Sequence, residues 1–107
     1  FEEQDVDNEF MTIKEAVLID GMDAKSICQH FGYDKDQIGR VLILLARECY
    51  MIKNMERGDN YIKEFERMAG KSRSNIDLME EVKRNKKIYA NQGNSLVRMK
   101  SGQNGNN

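Results

Sequence analysis

The 107-residue chain contains no proline, no tryptophan, one histidine and two cysteines. Without proline, nothing in the sequence breaks an intrahelical hydrogen-bond ladder, so long helices are unopposed. His30, Cys28 and Cys49 fall short of the four ligands a structural zinc site needs, and residues 28 and 30 of a helix point about 200° apart. No metal and no cofactor is expected. A cysteine nucleophile would also lack an orienting third group, so catalysis by either thiol is not expected. Both thiols read as buried and reduced, in keeping with a cytoplasmic location. The longest apolar run, residues 41–46, is six residues, far below the roughly 20 that cross a membrane. Residues 1–7 are acidic, the opposite of a basic leader, so no leader is expected there. The glycines are isolated and form no phosphate-cradling loop. The carboxylate pairs at 64/66 and 80/81 read as solvated helix charge, and the chain is read as a non-enzyme.

What is present is charge, at 33% of residues, and it is segregated. Residues 1–23 carry eight acids against Lys14, whereas residues 60–107 carry ten bases against five acids. A net charge of −1 therefore conceals an acidic start and a basic end. Such separation suits a face that meets phosphate, and equally a head-to-tail contact between copies.

Glycines at 21, 32, 58, 70 and 93 follow apolar-periodic runs, and capping residues follow most of them. That rhythm predicts an all-α bundle of about five helices, over residues 12–20, 24–31, 35–55, 60–69 and 75–91. Thr12 and Glu15 are expected to form a capping box for the first helix. Residues 1–10 are expected to form a flexible acidic arm, 11–93 the helical domain and 94–107 a disordered polar tail, with 95–99 the one candidate short strand. The third helix carries Val41, Leu42, Ile43, Leu44 and Leu45, which cover more than half its circumference. It is expected to be a central rod, or else to present one face to another copy. Seven methionines read mainly as core filler, with Met51 and Met55 a candidate docking patch.

The most specific local pattern lies at residues 24–41. Asp23 is placed to cap one helix, Ile27 and Phe31 share its inner face, Gly32 leaves it in the left-handed conformation, and Tyr33 plugs the turn. Asp34 and Gln37 form a capping box for the next helix, whose inner face begins at Ile38 and Val41. The apolar positions 27, 31, 33, 38 and 41, with small Cys28 and Gly39, resemble the lambda-repressor-like helix-turn-helix proteins. The resemblance covers about eighteen residues. It implies binding to double-stranded DNA as a regulator or nucleoprotein assembly factor, with Lys35, Gln37 and Arg40 contacting bases and the protein acting as a homodimer. Lys71, Arg73, Lys83, Arg84, Lys86 and Lys87 are the expected phosphate contacts. Against this stand Asp34 and Asp36 at the start of the reading helix, which repel phosphate. The alternative is a structural corner in an α-helical protein–protein adaptor that does not bind nucleic acid.

Overall fold

A computed structural model describes residues 3–92, with side chains from residue 9 onward. Among these residues all regular structure is helical: α1 (Glu3–Lys14), a π-helical segment (Glu15–Ile19), α2 (Ala24–His30), α3 (Lys35–Met51), α4 (Met55–Glu66), α5 (Arg73–Arg84) and α6 (Lys86–Asn91). The all-α expectation holds. The candidate strand at 95–99 and the tail from residue 94 lie outside the described residues.

Helix α3 is the axis around which the others assemble. Six consecutive positions, Val41 to Ala46, are buried. At 100° per residue such a run surrounds the helix, so no single neighbouring layer can cover it. Phe10, Ile13 and Val17 of the first helical stretch, Ile62 and Phe65 of α4, and Met79 and Val82 of α5 complete the core. Asp23 and Asp34 cap α2 and α3 as expected, and Asp34 with Gln37 forms the full capping box. Gly32 has φ +76°, which a glycine adopts without steric cost, and Tyr33 is buried behind it.

Four boundaries differ from the sequence reading. The segment 1–10, expected as a loose arm, is helical from Glu3. Phe10 is buried, and the Tyr33 hydroxyl donates to Glu9, which ties this acidic helix to the corner. Thr12 therefore lies inside a helix and cannot cap one. The helix then widens into the π segment, where Asp20 N–H reaches back to Glu15 O (3.0 Å). The widened ladder leaves the Val17 carbonyl to accept from Arg57 of α4 (3.1 Å).

The third helix ends at Met51 rather than residue 55. Lys53 takes the left-handed conformation (φ 66°) and Asn54 caps α4 by accepting from Arg57 N–H (3.2 Å). Gly58, read from sequence as a helix stop, is instead buried within α4. A Cβ there would lie 2.4 Å from Cε1 of Tyr50, so the glycine exists for close approach of α4 to α3. The fifth helix breaks at Asn85 into α5 and α6.

One buried ion pair fixes α1 against α3. Lys14 and Glu48 are each at most 4% exposed and stand 3.6 Å apart, with Arg47 3.7 Å from the other Glu48 oxygen. Removing one member of such a pair strands the other without water.

Two substitutions test this packing by urea denaturation. Gly58→Ala is expected to destabilise by about 1–3 kcal/mol, although alanine in a helix interior ordinarily gains up to about 1 kcal/mol over glycine. The sign reverses because Tyr50, whose hydroxyl donates to Asp59 (2.7 Å), has no room to retreat. Glu48→Ala is expected to cost about 3–5 kcal/mol, while the paired change Lys14→Met with Glu48→Leu restores most of that loss.

Candidate nucleic-acid and partner surfaces

The corner expected from sequence forms, but α3 does not stand clear of the bundle as a groove-reading helix would. Eleven of its seventeen residues are buried. Even its first turn is used. The Asn75 amide donates to the Asp36 carbonyl (2.9 Å) and to Asp36 Oδ1 (3.1 Å), seating the start of α5 against the start of α3. Asn75 is itself held by Ser72, whose hydroxyl accepts from its backbone N–H at 3.2 Å and so caps α5. A Cβ on Gly39 would come within 3.0 Å of the Phe65 ring and 3.2 Å of the Asn75 amide. Gly39 thus permits the close approach of α4 and α5 to the start of α3.

The three expected base-reading residues fare differently. Lys35 is exposed, at the mouth of a pocket of about 10 Å³ that it shares with Asp36, Met68, Lys71 and Asn75. Arg40 is half-buried. Gln37 is only 8% exposed, and its Oε1 accepts from Asp34 N–H at 2.7 Å in the capping box. Its side chain is thus enclosed by the cap of its own helix, unlike those of Lys35 and Arg40.

The expected phosphate contacts are mostly engaged within the chain. Lys71 Nζ donates to the Glu66 and Met68 carbonyls (3.1 and 2.7 Å), which closes the C-terminal end of α4. Arg73 pairs with Asp77 (3.4 Å), Lys83 with Glu66 (3.2 Å) and Lys86 with Asp59 (2.8 Å). Arg84 and Lys87 are exposed. The sequence showed the run of bases but not the acids of α4, 17 and 27 positions earlier, that neutralise Lys83 and Lys86.

Sequence reasoning also missed a cleft of about 320 Å³ between α4 and the α5–α6 pair, lined by Tyr50, Asp59, Ile62, Lys63, Glu66, Lys83 and Lys86. Most of its polar groups pair with one another. Asp59 Oδ1 accepts from the Tyr50 hydroxyl (2.7 Å) and from Lys86 Nζ, and the Lys86 ammonium lies 5.1 Å from the Tyr50 ring centroid. The hydrogen bonds from Lys86 and Tyr50 hold the Asp59 carboxyl below its usual range. Burial, with Asp59 beside it, pushes the Tyr50 hydroxyl well above the ordinary phenol value. Both shifts lead away from neutrality, so neither group is poised to move a proton near pH 7. Among the described residues no three of His, Cys, Asp or Glu come together as metal ligands, and no helix is long and apolar enough to cross a membrane.

Apolar side chains are also left outside. Met11, Ile19, Met22 and Ile88 are each about half exposed, at 45–51%. Met11 lies on the acidic α1, Ile19 ends the π segment and Met22 follows it, and Ile88 lies on the basic α6. The candidate patch at Met51 and Met55 is half-buried instead.

Two chemical tests follow. Burial pushes both thiols up to about 11, with Asp23 adding to the effect at Cys28 and Glu48 outweighed by Arg57 at Cys49. Native protein at pH 8 is therefore expected to resist iodoacetamide at both cysteines, and to be alkylated at both once unfolded, as read by mass spectrometry. Asp59 has a lowered carboxyl pKa, so its stabilisation is present above the unfolded-state value and fades as pH falls through the folded-state one. Asp59→Asn is expected to lower the urea midpoint at pH 7, and the difference is expected to shrink as pH falls below the ordinary carboxylate range. No protein-family model, curated protein sequence or solved structure matches this chain.

Proposed function

We propose that this protein is an α-helical protein–protein interaction module whose helix-turn-helix corner serves the fold rather than DNA. The observation that carries this reading is the enclosure of α3: a reader must offer one face of its second helix to the major groove, and here that helix is the axis of the core. Three further features support it. Gln37 is spent on a helix cap. Asp34 and Asp36 put negative charge where phosphates would pass. Four of the six basic residues on the expected phosphate surface make contacts within the chain, Lys86 the least exposed of the three that pair with an acid. The exposed apolar side chains of α1, the π segment and α6, each beside charge of one sign, are what an interaction module presents to a partner.

The DNA reading rests on one specific observation: the corner has the expected spacing, with Gly32 in the left-handed region and the capping box intact. It makes a different prediction. A helix-turn-helix protein neutralises several phosphates, and its affinity falls with a log–log salt slope of about −0.9 per phosphate contacted. Fluorescence anisotropy with a random double-stranded DNA pool, from 50 to 200 mM salt, separates the two. The interaction-module reading expects affinity no better than about 100 μM at 150 mM salt, with a slope of about −2 or shallower. Micromolar or tighter binding with a steep slope, weakened in its sequence preference by Arg40→Ala, would overturn it.

A further inference from the structure

The half-exposed apolar residues fall into two groups of opposite electrostatic character. Met11 and Ile19 are eight residues apart, and the wider π turn between them brings Ile19 back toward the line of Met11 along the helix. Met22 follows after the turn. Glu15, Asp20 and Asp23 stand exposed among them. On the other group Ile88 lies one turn beyond Arg84 and next to Lys87, both exposed. In the sequence, residues 1–8 hold four acids, and residues 93–107 hold Arg98 and Lys100.

The helices that carry these two groups are anchored on opposite sides of α3. Helix α1 is fixed to the rod through Lys14 and Glu48, and α6 through Lys86 over the Tyr50 ring. Glu48 and Tyr50 are two residues apart on α3, so they point about 200° apart. Within one molecule the acidic apolar face and the basic apolar face are therefore held away from each other. Between two molecules nothing prevents their meeting. We propose that the acidic face of α1 and the π segment (Met11, Ile19, Met22) binds the basic face around Ile88 on a second copy of this chain, so that the protein assembles head to tail. The inference rests on the interaction-module reading and names the partner it leaves open.

Charge complementarity sets the pairing and apolar contact holds it. A self-complementary contact is disfavoured, because two copies of the same face would bring like charges together. The interface is heterologous, so copies add in one direction until they close a ring or continue as a chain. Each face is small, in the class of weak, transient contacts, so association is expected at tens to hundreds of micromolar.

Sedimentation velocity on the full chain, from about 10 to about 500 μM, reads the assembly. Wild type is expected to gain mass with concentration, and to lose several-fold in affinity when salt rises from about 50 to about 500 mM, because screening removes the charge pairing. Ile19→Lys, damaging only the acidic face, and Ile88→Glu, damaging only the basic face, are each expected to weaken self-association at least about ten-fold. Their mixture is the decisive sample. Each variant retains the face the other has lost, so mixing is expected to restore a complex of at least one copy of each. Both positions are half exposed, and circular dichroism verifies folding; Met22→Lys and Lys87→Glu provide independent lesions on the same two faces. Variants that associate like wild type, a mixture that stays monomeric, or an association indifferent to salt would each overturn the head-to-tail contact. A wild type that stays monomeric throughout overturns it too, while the interaction-module reading is judged separately by the DNA titration.

Discussion

A helix that is apolar on every side must be enclosed, and the enclosure of α3 governs the rest of this molecule. Six consecutive buried residues leave the middle of the rod no direction in which to face water, while Lys35 and Asp36 of its first turn stay exposed. Each large aliphatic side chain withdrawn from water contributes about 1.5–3 kcal/mol, so covering the whole circumference outweighs any single contact elsewhere. The covering helices then need anchors with direction, which burial alone does not supply. Lys14 to Glu48 sets α1, Gly58 beneath the Tyr50 ring sets α4, Asn75 to Asp36 sets α5, and Lys86 over Tyr50 sets α6. The polar groups in these anchors are few, and each has a partner on the helix it faces.

The same enclosure determines what the surface can do. A helix-turn-helix corner becomes a reader only when its second helix keeps one face open. Here the corner is used to turn the chain into the rod, and its capping groups, including Gln37, are absorbed in starting that helix. The lysines and arginines of the C-terminal half, which on a bare helix would form a positive stripe, lie across from the acids of α4. Pairing lowers the field they project, and Arg84 and Lys87 stay exposed beside the exposed Ile88.

Local signals were readable because they act over three or four residues. Asp23, Gly32 and the Asp34–Gln37 box each concern one helix end, and each appears where the sequence places it. Signals that depend on a distant neighbour were not. Gly58 has the composition of a helix stop, yet its role depends on a tyrosine on another helix. The acidic segment before Met11 reads as solvated, yet Phe10 and Glu9 have partners across the core and at Tyr33. The break at Asn85 and the π segment carry no propensity strong enough to be seen, since no proline or glycine marks either. Of the candidate site residues, the exposure of Lys35 could be inferred from its place in a first turn, whereas the pairing of Lys83 and Lys86 with Glu66 and Asp59 could not.

By itself, then, the sequence determined that the protein is helical, that a tight corner precedes its most apolar helix, and that its charge is divided between its ends. These follow from hydrogen-bond ladders without proline, from caps, and from the order of charges along the chain. Only the tertiary structure decided which bases remain unpaired, which glycine is a packing surface, and whether the corner's second helix is open or enclosed. Those properties belong to pairs of residues brought together from far apart in the chain, and burial against a neighbour is not encoded at any one position.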